Sequence, residues 1–290
     1  PDASMVTFDK APTDDEITMI MAGALPLALK PDTERVGIIG WGSGLSTHTV
    51  LGLPSVREVN TIEIEPAMWE GAKVFGARVA RAYEDPRSKV RFDDARTYFA
   101  SGAQKYDIII SEPSNPWVAG VSGLFTSEFY GFLRRHLNDD GLLVQWIQSY
   151  EIDGPITAQM FAALAQEFPH VQVYVTNSYD LLLVASVTPI PAAYDARLWA
   201  PPELRAELER VGLRSAADFE VRRIGDRALL EAIALLYAAE PHSDFHPTVA
   251  LQAPRTRFRG LRATELQSLA GLGLPVLEPL LCREVDADPA

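Results

Sequence analysis

Apolar positions along the chain fall into short runs separated by longer amphipathic stretches. The runs "RVGIIG", "VNTIEIE", "KVRFDD" and "YDIIIS" come first, and "GLLVQWIQ", "VQVYVT" and "DLLLVAS" follow. Their length and β-branched content predict buried strands. Between them lie "SGLSTHTVLGL", "PAMWEGAKVFGARVARAY", "DARTYFASGA", "TSEFYGFLRRHL" and "GPITAQMFAALAQEF", which carry apolar residues at helical spacing. Pro66 and Pro155 fall where a first helical turn tolerates proline, and Gly141 is expected just past a helix end. Strand–helix alternation from Arg35 to Ser186 predicts an α/β fold, a Rossmann-like, doubly wound and mostly parallel sheet with helices on both faces. Only "NSY" joins the last two runs, so they are expected to pair as an antiparallel hairpin.

This divides the chain into a lead-in segment (1–34), a sheet domain (35–189) and a mostly helical C-terminal extension (190–290). The extension begins where the texture turns proline-rich, in "PIPAAYDARLWAPPEL", and continues with helical patterns such as "ALLEAIALLYAAE". Its tail, "CREVDADPA", is expected to be disordered. In the lead-in, "MIMAGALPLALK" is the longest membrane-helix candidate, but it is interrupted by Pro26 and falls short of the roughly 20 apolar residues a span needs. No internal repeat and no signal peptide is visible.

Composition then narrows the function. At 290 residues, with 47% hydrophobic and 22% charged, the chain has ample material for a core. A net charge of −13 argues against nucleic acid, whose phosphates need clustered Lys and Arg; it would suit a small cationic substrate, and equally serves plain solubility. Cys282 is alone, so neither a disulfide within the chain nor a thiolate zinc site is expected. "HSDFH" (242–246) has the look of metal ligands but no accompanying cluster; it is read as a turn ahead of a strand, and no metal is expected.

The chemistry gathers at the strand ends. "GWGSGLS" follows the first strand and opens the first helix, and Gly40, Gly42 and Gly44 with Ser43 would bring backbone close to a ligand at a helix start. Glu63 ends the second strand about twenty residues on, where a carboxylate accepts both hydroxyls of a ribose. In "FDDAR", after the third strand, Asp93 or Asp94 could accept from an adenine amino group, with Ala95 beside them. The G-x-G-x-G spacing is neither a P-loop nor the usual dinucleotide form. It suits an adenosyl ligand without a pyrophosphate, such as S-adenosylmethionine or a relative. The fold expected is that of S-adenosylmethionine-dependent methyltransferases. After the fourth strand, "SEPSNPW" places Glu112 and Asn115 at the lip of the sheet.

Taken together, "RVGIIGWGSGLSTHTVLGLPSVREVNTIEIEPAM", "DDAR", "YDIIISEPSNP" and "GLFTSEFYGFLRRHLNDDGLLVQW" resemble the spermidine/spermine synthase (polyamine aminopropyltransferase) family over about 11–186. The likeness is to its bacterial branch fused behind membrane helices, and "HSDFHPTVALQAPR" resembles that branch's C-terminal motif. The resemblance implies an enzyme that moves an aminopropyl group from decarboxylated S-adenosylmethionine to an amine. Glu63 would bind the ribose and Asp94 the adenine. Glu112 would accept the amine's proton, and Asn115 would hold the polyamine where the family has an aspartate. The family's glycine-loop aspartate is Ser43 here, and its upstream Tyr-His pair is Thr18 and Met19. The resemblance also admits a homodimer, a cytoplasmic location, and membrane helices ahead of Pro1. Two alternatives follow from those departures. One is methyl transfer from intact S-adenosylmethionine, and the other is a non-catalytic domain that senses a nucleoside thioether. Trp117 is expected either in the core or as an aromatic wall beside a cation, and Tyr150 and Glu151 are expected to line the same cleft.

Overall fold

The structure, a computed structural model, describes residues 12–263. One eight-stranded sheet runs through it, built from β1 (Arg35–Ile39), β2 (Glu58–Glu63), β3 (Ser88–Phe92), β4 (Tyr106–Ser111), β5 (Leu137–Gln148), β6 (His170–Val175), β7 (Asp180–Ser186) and β8 (Arg223–Asp226). Their order is β3-β2-β1-β4-β5-β7-β6-β8. The first five are parallel neighbours, and β7 enters antiparallel between β5 and β6. The expected hairpin of the last two runs is present as β6–β7.

Strand alternation produces two cores. Ile108 and Ile110 of β4, Val144 of β5 and Val184 of β7 face one side, whereas Ile109, Leu143 and Leu183 face the other. All seven are fully buried, as a sheet covered on both faces requires. The first side is covered by α1 (Asp14–Leu29), α2 (Leu45–Val50) and α8 (Pro202–Arg210). The second is covered by α5 (Ala95–Ser101), α6 (Ser127–His136), α7 (Gly154–Glu167), α10 (Arg227–Leu236) and α11 (Thr248–Phe258).

Several elements differ from their sequence pattern. α1 runs through Pro26 to Leu29 without a break, and its side chains from Thr18 onward are buried. Burial of a whole helix outweighs the cost of one proline near its C-terminal end. The expected helix over 66–83 divides into α3 (Pro66–Gly71), a 3-10 stretch (Ala72–Val79) and α4 (Ala80–Glu84), because Gly76 takes φ 51°, outside the helical region. Gly141 lies inside β5 rather than directly past a helix end. The C-terminal extension, besides α8, α9 (Ala216–Glu220), α10 and α11, donates β8 to the sheet edge. No strand follows "HSDFH"; α11 does. Cys282 and the tail "CREVDADPA" lie outside the described residues.

A buried ion cluster ties α1 to α8 and to the stretch ahead of α4. Glu16 of α1 meets Arg78 at 2.6 Å and Arg210 of α8 at 2.8 Å, with Glu16 fully buried. Burial pushes its carboxyl up, but the hydrogen bonds from Arg210 and Arg78 outweigh that and hold it below the usual carboxylate range. Losing either arginine would leave a buried charge without its full complement, so α1 and α8 are fixed relative to one another.

Candidate active site

The loop between β1 and α2 is held by its glycines. Gly40, Gly42 and Gly44 take φ of 95°, 53° and 83°, a region in which side chains are strained. A Cβ on Gly40 would sit 2.4 Å from the carbonyl oxygen of Glu112, so only glycine lets this loop touch the turn after β4. The Glu112 amide donates to the Ile39 carbonyl at 3.0 Å and completes that junction. Ser43 is buried; its hydroxyl donates to the Met19 sulfur at 3.1 Å and accepts from the Leu45 amide at 3.3 Å.

Glu63 closes β2 with its carboxylate turned toward this loop. One oxygen accepts from the Trp41 amide and the other from the Glu65 amide, both at 2.8 Å. Each oxygen retains a lone pair, and the orientation is fixed in advance. Ile64 beyond it is 70% exposed and Phe92, opposite Glu63 across the ladder, is 50% exposed. Two bare apolar side chains beside a fixed carboxylate offer a surface on which a flat base can lie. Asp94 has a structural duty as well: it caps α5 by accepting from the Thr97 amide at 2.9 Å. Its second oxygen is not used by the cap, and Ala95 opens the helix next to it.

A second region lies where α1 crosses the ends of β4 and β5. Glu112 and Pro113 form one wall of a cavity, with Thr18 and Met19 of α1 opposite. Trp146 and Tyr150 enclose it from the β5 side, and Asp180 with Asp15 completes it. The space is narrow, about 20 Å³. Burial pushes the Glu112 carboxyl up to about 7, and the Asp180 charge adds to the rise. Asn115 stands at the rim, its amide donating to the Tyr150 hydroxyl at 3.2 Å. Burial raises the Tyr150 hydroxyl above its ordinary value.

Trp117 meets the Tyr150 ring edge-on at 6.2 Å between centroids, and its own face is covered by the Arg257 guanidinium at 5.3 Å. Glu151 pairs with Arg257 at 3.5 Å and does not line the cavity. "HSDFH" is spent on tertiary ties: His242 Nε2 lies 3.1 Å from the Ser122 carbonyl, and Asp244 pairs with Arg96. Among the described residues, no cluster of His, Cys, Asp or Glu could hold a metal ion, and no helix is long and apolar enough to cross a membrane.

Asp180, Trp146 and Ile64 are the residues that sequence reasoning missed. Asp180 opens a strand, and in a parallel sheet that would put it at the far edge. Because β7 is reversed, Asp180 pairs with Gln148 at the end of β5 and joins the carboxyl edge.

Residues 16–183 match the profile of the spermine/spermidine synthase domain. The chain belongs to that family. It is 31% identical over 164 residues to a polyamine aminopropyltransferase of Agathobacter rectalis, covering 56% of this chain and 57% of that one. It is 27% identical over 176 residues to the polyamine aminopropyltransferase of Bacillus subtilis, with 61% and 62% covered. The chain thus spans about three fifths of the length of these curated relatives. Among solved structures, a spermidine synthase in complex with the transition-state analogue AdoDATO superposes with a TM-score of 0.54 at 21% identity, over 69% of this chain and 76% of that one. Human methyltransferase-like protein 13 in complex with SAH superposes with a TM-score of 0.51 at 22% identity, over 70% and 93%. Both likenesses show the fold, the methyltransferase-type sheet that the sequence pattern leads one to expect.

Proposed function

We propose that this chain transfers an aminopropyl group from decarboxylated S-adenosylmethionine to a small amine, with Glu112 as proton acceptor. The observation that carries the reading is the position of Glu112, which stands in a narrow acidic cavity directly behind the glycine loop. Glu63 would take the ribose hydroxyls, Asp94 with Ala95 the adenine edge, and Gly40, Gly42, Ser43 and Gly44 the thioether side. In the reaction the amine nitrogen attacks the methylene next to the sulfonium. The nitrogen–carbon bond forms as the carbon–sulfur bond breaks, the electron pair goes to sulfur, and methylthioadenosine leaves. The amine's proton goes to Glu112.

The raised carboxyl suits that task. An alkyl ammonium titrates near 10 and an ordinary glutamate near 4.5, a wide gap for proton transfer. At about 7, Glu112 roughly halves the gap. The Asn115 amide supplies no charge, so it would orient the amine or Tyr150 rather than deprotonate anything.

A second reading, methyl transfer from intact S-adenosylmethionine, draws on Ser43. Its hydroxyl faces the Met19 sulfur, so this part of the loop carries no charge to repel a methionine carboxylate. Mass spectrometry of the products separates the two. The protein is incubated with 1,4-diaminobutane and either co-substrate. Methylthioadenosine with an aminopropylated amine is the expected outcome. S-adenosylhomocysteine formed from the intact co-substrate, with no turnover of the decarboxylated one, would replace the first reading with the second.

A further inference from the structure

Glu112 shares its cavity with a carboxylate that is itself buried. Asp180 is 5% exposed, and its Oδ2 accepts from the Thr18 hydroxyl at 2.9 Å and the Asn177 amide at 2.8 Å. Its Oδ1 is buried and has no hydrogen-bond partner. The Trp146 indole N–H lies beside this carboxylate but falls short of hydrogen-bond geometry, and Trp146 Nε1 is itself unpaired. A carboxylate oriented by two neutral donors, with its other oxygen left unmatched, is costly unless something cationic completes it.

Among the described residues, the cavity has no cationic side chain in its walls. Of the described residues that line it, three are carboxylates, Asp15, Glu112 and Asp180, and none is Lys or Arg. Burial raises the Asp180 carboxyl, as expected for an acid awaiting a counter-charge. The remaining walls include the Trp146 and Tyr150 rings, surfaces that attract a desolvated cation. About 20 Å³ of space exceeds the roughly 10–15 Å³ that one water requires, so it admits an ammonium head and little more. Glu112 and Asp180 both line this space, although their strands, β4 and β7, are separated by β5.

We propose that Asp180 is the counter-carboxylate for a primary alkylammonium group bound in this cavity. The inference rests on the aminopropyl-transfer reading. It assigns to the first residue of β7 the charge pairing that Ser43 and Asn115, both uncharged, do not offer. The ammonium comes either from the acceptor amine or from the aminopropyl arm of the donor, and binding measurements separate the two.

The test uses Asp180→Asn, which keeps the shape but removes the charge, alongside Thr18→Val, which removes a donor to Asp180 but keeps its charge. Calorimetry follows three ligands: methylthioadenosine, 1,4-diaminobutane in the presence of saturating methylthioadenosine, and decarboxylated S-adenosylmethionine. Asp180→Asn should weaken one of the two ammonium ligands by about 10–100-fold, the range of a charge-assisted hydrogen bond, and leave methylthioadenosine within about two-fold. Loss of diaminobutane places the acceptor's ammonium at Asp180, and loss of the decarboxylated donor places the aminopropyl ammonium there. Thr18→Val should weaken the same ligand by less than about three-fold. Unchanged affinities in Asp180→Asn overturn the inference, as does a parent protein that binds neither ammonium ligand. A Thr18→Val variant as impaired as Asp180→Asn also overturns it, since Asp180 would then only hold the hairpin. A parent that binds diaminobutane yet releases no methylthioadenosine from the decarboxylated donor refutes the transferase reading and leaves Asp180 standing. Normal turnover with Asp180→Asn unchanged does the reverse.

Discussion

Replacing Glu112 by Gln should stabilise the protein at neutral pH and disable it. The carboxyl titrates at about 7 in the fold against 4.5 ordinarily, with burial the main cause. Below pH 4.5 both folded and unfolded chains hold the proton, and Glu112 leaves stability unaffected. Between 4.5 and about 7 the unfolded chain releases it while the fold retains it, so stability falls as pH rises. Above 7 both states are ionised and the full cost remains, about 3 kcal/mol at 1.36 kcal/mol per pKa unit. Gln has nearly the same shape and does not titrate.

Urea unfolding of parent and Glu112→Gln at intervals from pH 4.5 to 8.5 reads this directly. The variant's advantage should grow across the window and level off above pH 7, near 3 kcal/mol. Turnover, measured in parallel as methylthioadenosine release, should fall by about 10²–10⁴-fold, the usual share of a general base. Opposite signs for stability and turnover are the signature of a strained catalytic group. Parallel stability curves, with no pH-dependent difference, would show that the Glu112 carboxyl is not desolvated in the fold and refute the reasoning at its root.

Two further outcomes follow from the glycine loop and its carboxylate. Glu63→Gln exchanges one of the two oxygens that accept the Trp41 and Glu65 amides for a donor. It should cost about 1–3 kcal/mol of stability by urea unfolding, and about 10–100-fold in methylthioadenosine affinity by calorimetry. Gly40→Ala places a Cβ 2.4 Å from the Glu112 carbonyl oxygen at φ 95°. The resulting strain should cost about 1–3 kcal/mol and lower turnover by displacing the turn after β4, whereas an unaltered melting temperature would show that the loop yields freely.

Much of this architecture is legible in the sequence, because its signals are local. The apolar runs of β1, β2 and β4 end on Gly40, Glu63 and Glu112, and a polar residue that ends a buried run must stand at the sheet edge. The β6–β7 hairpin follows from a three-residue linker in the same way. The insertion of β7 beside β5 does not, since lateral strand order is a tertiary choice that no run of residues encodes. Asp180 was therefore hidden, although its neighbours in the cavity, Glu112 and Tyr150, were not. β8 was hidden for another reason: "RIGD" has one large apolar residue, Ile224, too little to show a period. The uninterrupted α1 reflects burial on all sides, which propensity at Pro26 does not foresee.

The central claim is that a half-buried, raised carboxyl at Glu112 takes the amine's proton, and the pH dependence of kcat/KM for the amine tests it most directly. With decarboxylated S-adenosylmethionine saturating, the profile should rise through an ionisation near pH 7, the Glu112 carboxyl of the enzyme before the amine binds. In Glu112→Gln that limb should vanish from the residual activity. A parent profile without an ionisation between pH 6 and 8, or a limb near 7 that survives in Glu112→Gln, would contradict the account.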